Sequence, residues 1–80
     1  MKYLAIINSD YPGVKIEDSN ENTHTAVVVN SDAIDSVGMF EDGEVYIQTN
    51  EEVYYFTSNV PQQTQQVFAW ILKQLGEAKY

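Results

Sequence analysis

Hydrophobic and polar residues alternate along the second half of the chain, on either side of two short turn signals. Asp42-Gly43 is a two-residue hairpin signal between residues 37–41 and 44–49, and Asn50-Glu51 marks a second tight turn before residues 52–57. Two-residue loops at both turns predict a three-stranded meander with one apolar face, made of Phe40, Val45, Ile47, Tyr54 and Phe56. The opposite face receives Val37, Met39, Tyr46, Gln48, Val53 and Tyr55, with Tyr46 opposite Tyr55.

The C-terminal segment repeats its apolar residues with the period of a helix. Pro61 suits the first helical position, and the pattern predicts one helix over residues 62–79, with Gly76 as an alternative, earlier end. One stripe of this helix carries Thr64, Val67, Phe68, Ile71, Leu75 and Ala78. We expect the stripe to cover the face that contains Phe40 and Phe56.

The first half of the chain has weaker but readable strand signals. The sequence predicts a buried strand at residues 3–7, a short strand at residues 14–17 and a strand rich in β-branched residues at residues 23–29. Residues 30–35 predict a turn, with Asn30 or Ser31 as its N-cap. The whole chain, residues 1–80, therefore predicts a single α+β domain. It has an antiparallel sheet of four to six strands and one C-terminal helix packed on one face. The order of the first strands stays open.

The charged residues indicate that this small domain has a strongly negative surface. The chain of 80 residues has 12 acidic residues against four Lys and no Arg, a formal charge of −8. No Lys or Arg occurs from Ile16 to Leu72, although ten acidic residues do: Glu17, Asp18, Glu21, Asp32, Asp35, Glu41, Asp42, Glu44, Glu51 and Glu52. Few of these acids can find an ion-pair partner within the chain. Direct binding to nucleic acid is not expected, because phosphate contacts need Lys and Arg.

Composition also limits the compartment and the chemistry. The absence of Cys excludes disulfides and Cys-ligated metal sites. No apolar stretch approaches the roughly 20 residues of a membrane span, and residues 3–7 are too short for a secretory signal. We therefore expect a cytoplasmic protein that does not bind membranes.

Candidate sites for chemistry are few. Asp18, Asn20 and Asn22 have the first spacings of a calcium loop, but Thr23 and Val29 stand where that loop needs Gly and Glu. A solvated turn is the favoured interpretation, and weak binding of a divalent ion or small molecule is kept as a third hypothesis. His24 is the only histidine, and no Gly-rich phosphate loop or nucleophile elbow is present. We predict no enzymatic activity, no cofactor and no metal site.

The remaining candidate is a surface for a protein partner. Acidic residues gather at predicted strand ends, beside aromatic and apolar residues of the second meander face, and Trp70 on the helix is a further candidate contact. The predicted partner-binding residues are Asp32, Asp35, Glu41, Asp42, Glu44, Glu51, Glu52, Met39, Tyr46, Tyr55 and Trp70. Such a set suits an Arg/Lys-rich protein surface. The alternative is that the N-terminal strands cover this face and the acids are merely solvated.

These observations predict a small protein-binding module that docks on the basic, nucleic-acid-binding surface of a larger protein. In size and charge the chain resembles phage-encoded inhibitors of host defence, including anti-CRISPR and DNA-mimic proteins, although no motif carries the resemblance. The alternative is a self-associating structural or regulatory protein, a homodimer through the Tyr46/Tyr55 face or through an exposed strand edge.

Overall fold

The computed structural model describes residues 2–77 and contains seven strands and one helix. The strands are β1 Tyr3–Ile7, β2 Lys15–Asp18, β3 Thr23–His24, β4 Ala26–Asn30, β5 Ile34–Met39, β6 Val45–Thr49 and β7 Val53–Thr57, and the helix is α1 Pro61–Glu77. Two single turns of 3-10 helix, Asn8–Asp10 and Ser31–Ala33, follow β1 and β4. The predicted α+β class and the helix start at Pro61 are confirmed.

All the strands pair antiparallel, and they form two separate sheets. One has five strands in the order β3-β2-β7-β6-β5, and the other is a two-stranded ribbon of β1 and β4. The predicted third strand is interrupted at Thr25, so that β3 pairs with β2 while β4 leaves the first sheet and pairs with β1. The five-stranded sheet agrees with the predicted four to six strands, and the separate ribbon of β1 and β4 was not predicted.

One apolar core lies between one face of the five-stranded sheet and a layer made of the ribbon and the helix. Every residue of the core is at most 5% exposed: Leu4, Ile6, Val14, Ile16, Val27, Val29, Val45, Ile47, Phe56, Val67 and Ile71. Leu4 and Val29 come from the ribbon, and Val67 and Ile71 come from the helix. We call the sheet face that carries Phe56 the core face, and the opposite one the outer face.

The helix packs much as its apolar stripe predicts. Thr64, Val67 and Ile71 are buried, and Phe68 and Leu75 pack partly buried against the core. Gly76 lies within the helix and does not end it. Ala78, the last residue of the predicted stripe, lies outside the described residues.

The second meander turn has the predicted register. Ile47 pairs with Tyr54, Val45 with Phe56 and Tyr46 with Tyr55, as a two-residue loop at 50–51 requires. The backbone N–H of Thr49 donates to the carbonyl of Glu52 at 2.8 Å and closes that loop. Both Tyr54 and Phe56 therefore lie on the core face, as predicted.

The first meander turn differs from its prediction by one residue. Its loop has three residues, because the Gly43 N–H donates to the Phe40 carbonyl and the Phe40 N–H donates to the Glu44 carbonyl. Gly43 is the fourth residue of this turn and has a φ of 93°, the left-handed conformation of a G1 bulge. Met39 consequently pairs with Val45, and Val37 with Ile47. A slip of one residue exchanges the two faces of β5, so Met39 and Val37 face the core and Phe40 does not.

Candidate protein-binding surface

The outer face of the five-stranded sheet is open to solvent. The ribbon and α1 both pack on the core face, and no other strand or helix of residues 2–77 packs on the outer one. Strand pairing aligns one residue from each of four strands across it: Glu17 on β2, Tyr55 on β7, Tyr46 on β6 and Gly38 on β5. Both tyrosines are half-buried among their sheet neighbours. The N-terminal strands therefore do not cover the Tyr46/Tyr55 pair.

Gly38 allows the Tyr46 ring to lie across strand β5. A methyl group at Gly38 would come within 2.5 Å of the Tyr46 ring and of its hydroxyl oxygen, so a side chain fits at this position only if the Tyr46 ring moves. Phe40 packs on the same tyrosine, with 5.1 Å between the ring centroids and 38° between the ring planes. Phe40 remains 48% exposed. Two aromatic rings thus lie side by side where the outer face meets the first meander turn.

Two shallow hollows flank this aromatic pair, and both are lined by carboxylates. The hairpin hollow, about 520 Å³, is lined by Phe40, Glu41, Asp42 and Glu44. The strand hollow, about 290 Å³, is lined by Glu17, Asp18, Ser19, Glu21, Glu44 and Tyr55. Glu44 is common to both hollows. Partial burial, and then the charges of Asp42 and Glu17, raise the pKa of its carboxyl above the ordinary value.

Positive charge is scarce on the outer face. Lys15 on β2 forms an ion pair with Glu17, with 3.6 Å between its Nζ and the glutamate Oε1, and more than half of the Lys15 side chain is exposed. Lys15 pairs along the sheet with Thr57, one row away from the tyrosines. On the other side of the molecule, residues 61–76 of the helix include one Lys and no acidic residue. The negative charge is therefore concentrated on the sheet and its loops.

The Asp18 carboxylate organises the turn between β2 and β3. Its Oδ1 accepts the backbone N–H groups of Asn20 at 2.9 Å and of Asn22 at 3.0 Å, while Oδ2 accepts His24 Nε2–H at 2.8 Å. The His24 hydrogen bond, followed by the two backbone bonds, lowers the pKa of Asp18 to about 2. Because both carboxylate oxygens are used in holding the turn, the geometry favours the turn over a calcium loop here.

The remaining predicted acids lie at the opposite end of the strands. The Asn50 N–H donates to the Ala33 carbonyl at 3.2 Å, which places the 3-10 turn with Asp32 beside the β6–β7 turn with Glu51 and Glu52. Asn30 caps that 3-10 turn by accepting the Asp32 N–H at 2.9 Å, as the sequence indicates. Asp35 is the unpaired residue where the β5–β6 register shifts. The seven predicted acids thus form two groups, and only the group of Glu41, Asp42 and Glu44 lies next to the Phe40 and Tyr46 rings.

Two predicted contact residues are not on the outer face. Met39 was expected beside Tyr46, but the G1 bulge turns it toward the core, where it is partly buried. Trp70 is also partly buried against the core, on the helix, with the sheet between it and the tyrosines. Sequence reasoning missed Phe40, which was placed in the core, and it did not select Glu17. The signal for Phe40 was present, since Gly43 suits the fourth position of a type I turn that begins at Phe40.

Comparison with known proteins adds no relative to this description. No protein-family model matches the chain, and no curated protein and no solved structure matches it. Among residues 2–77, no helix has the length and apolar character that crossing a membrane requires. Within the same range, no three or more His, Asp or Glu side chains are grouped so as to hold a metal ion.

Proposed function

We propose that this protein is a small non-enzymatic binding module whose outer face docks on a basic surface of a partner protein. An arginine side chain suits the hairpin hollow, because its planar guanidinium can stack on Phe40 and donate hydrogen bonds to Glu41 or Glu44. The Tyr46/Tyr55 pair supplies apolar area and hydroxyl groups beside that position, as aromatic contact residues do at protein interfaces.

The observation that carries the proposal is the environment of Glu44. Its carboxylate lines both hollows, next to Asp42 and Glu17, and the described residues place no cation on it. A cation brought by a partner would offset the repulsion between these groups. Binding of the partner and ionisation of Glu44 therefore favour each other.

A protein that handles nucleic acids is the class of partner that this surface fits best. Carboxylates spaced along strands can occupy the positions of phosphates in a basic groove, and their charge speeds association at low salt. Occupation of that groove would inhibit the partner, which is the mode of action suggested by the analogy in size and charge with anti-CRISPR and other DNA-mimic proteins. We expect the encounter in the cytoplasm.

Affinity capture from lysate, followed by titration of the purified partner, tests the proposal. We expect a partner with a basic surface, displacement by duplex DNA, and affinity that falls about tenfold between roughly 50 and 200 mM salt. The double variant Glu41→Gln/Glu44→Gln should weaken binding. The control Asp10→Asn/Asp32→Asn changes the net charge equally and lies away from the hollows, so it should retain binding. Binding that survives neutralisation of Glu41, Asp42 and Glu44 together rules out this electrostatic mechanism.

Self-association through the same face is the competing proposal. It would bring together two chains with a formal charge of −8 each, which repel one another. Sedimentation velocity over a range of concentrations separates the two: a monomer at high micromolar concentration excludes the dimer as the main function. A dimer that Tyr55→Asp dissociates would instead assign the outer face to a second copy.

A further inference from the structure

Strand β4 has a free edge at the middle of the ribbon. The Asn8 N–H donates to the Thr25 carbonyl and the Ser31 N–H donates to the Lys2 carbonyl, both at 2.8 Å. Hydrogen-bonded and non-hydrogen-bonded pairs alternate along antiparallel strands, so the Ala5/Val28 pair between these two bonds is a non-hydrogen-bonded pair. The backbone N–H and C=O of Val28 therefore point away from β1. Within residues 2–77, β4 pairs with no strand other than β1. Such an edge is a template for another extended chain.

That free edge borders a groove on the core-face side of the molecule. The groove, about 320 Å³, lies between β4 and the β6–β7 turn. It is lined by Val28, Val29, Asn30, Ala33, Thr49, Asn50, Glu51, Glu52 and Tyr54. Val28 is 64% exposed. The groove therefore has a strand edge on one side and a turn with two carboxylates on the other.

The electrostatics of the groove favour a positively charged occupant. The Glu52 Oε1 accepts the Ser19 hydroxyl and the Val53 backbone N–H, and these bonds lower the pKa of Glu52 and hold it ionised. Burial raises the pKa of Tyr54, and the charges of Glu52, Asp18 and Glu51 raise it further, so its hydroxyl remains protonated. The His24 ring, which is hydrogen-bonded to Asp18, meets the Tyr54 ring edge-on, with 5.9 Å between the ring centroids. None of the groove's lining residues is Lys or Arg.

We propose that this groove binds an extended peptide segment that carries Lys or Arg and adds to the ribbon as a third strand beside β4. The backbone of the segment pairs with the N–H and C=O of Val28, which gives affinity without sequence preference. Alternate side chains of an added strand point the same way, so one basic side chain reaches Glu51, Glu52 and the Tyr54 ring. A second copy of this chain is a poor occupant, because its central 57 residues, from Ile16 to Leu72, contain no Lys or Arg. The site is separate from the outer face and does not depend on its function.

Titration with a defined peptide, followed by NMR of the backbone amides, tests this site. The probe is a capped nine-residue peptide that alternates Thr or Val with Lys or Arg, and a second peptide replaces its basic residues with Gln. We expect the basic peptide to shift the amides of Val28 and Asn30 and to slow hydrogen exchange at Val28, because that N–H becomes paired. The Gln peptide should bind about threefold to tenfold more weakly.

Matched variants separate strand addition from general attraction to an acidic protein. Glu51→Lys reverses an exposed charge in the groove and should weaken binding by about threefold to tenfold, whereas Glu41→Lys, at the hairpin hollow, should leave it unchanged. A basic peptide N-methylated along its pairing edge should also lose affinity, although its charge is intact. Shifts confined to Glu44 and Tyr55, unchanged exchange at Val28, or equal binding of the N-methylated peptide would each overturn the proposal. The first of these results would leave the outer-face function standing.

Discussion

The two faces of the five-stranded sheet are built from the same strands, but one is buried and the other is open to solvent. On the core face, Val45, Ile47 and Phe56 are wholly excluded from water by the helix and ribbon. On the outer face, Tyr46, Tyr55 and Glu44 alternate with them along the chain and remain in contact with solvent. Stability and recognition are separable here from one residue to the next, because adjacent strand residues point to opposite faces. Substitutions on neighbouring residues can therefore test one property while leaving the other in place.

The largest expected effect comes from the core face. Phe56→Ala should lower the free energy of unfolding by about 3–5 kcal/mol, since it removes a fully buried aromatic side chain and leaves a cavity. The neighbouring substitution Tyr55→Thr, on the outer face, should cost about 1 kcal/mol or less, since threonine keeps the preference for a strand. Urea unfolding followed by circular dichroism measures both. Similar losses at the two positions would show that the outer face is also packed.

A smaller effect is expected where an outer-face ring depends on a glycine. Gly38→Ala should cost about 1–3 kcal/mol, because the new methyl group would displace the Tyr46 ring from strand β5. Gly76→Ala is the control: among residues 2–77, no atom other than those of its chain neighbours and the helix backbone lies within 4 Å of the added methyl group, and alanine favours the helix by up to about 1 kcal/mol. The NMR signals of Tyr46 and Phe40 should move in the first variant alone. An unchanged Tyr46 environment in Gly38→Ala would contradict the described contact.

The smallest effect concerns the charge of Glu44. Because the folded protein raises the pKa of this carboxyl, its ionised form is disfavoured in the fold, and stability should rise as the pH falls through that pKa. Glu44→Gln should therefore stabilise the protein at pH 7 by about 0.5 kcal/mol or less, and the gain should vanish once the pH is below the ordinary value of 4.5.

Melting temperatures of the two proteins at several pH values measure this difference, and added salt should reduce it. Asp18 should show the opposite dependence of stability on pH in the same experiment. The His24 hydrogen bond lowers the pKa of Asp18 to about 2, so the stability that Asp18 contributes is present above its ordinary pKa of 3.8 and is lost as the pH falls toward 2. A Glu44→Gln protein that is less stable than the parent at neutral pH would contradict the crowding of charge on the outer face.

The two tyrosines of the candidate surface could be predicted from the sequence, but the position of Phe40 beside them could not. The pairing of Tyr46 with Tyr55 follows from alternation and from a turn at 50–51 that has a single compatible length. The position of Phe40 could not be decided in the same way. Asp42-Gly43 serves a two-residue loop and a three-residue loop with a G1 bulge equally well, because glycine accepts the positive φ that each requires. Since both Phe40 and Met39 are apolar, the hydrophobic pattern did not distinguish the two registers.

Local periodicity and composition were enough to predict the α+β class, the helix from Pro61, the register of the second meander turn and the strongly negative charge. Only the folded chain shows that β4 leaves the large sheet at Thr25 and that the ribbon of β1 and β4 packs on the core face. Pairing between strands distant in sequence is set by how completely they bury a shared apolar face, and no local pattern encodes that choice. This choice leaves the two tyrosines open to solvent and creates the groove beside Val28.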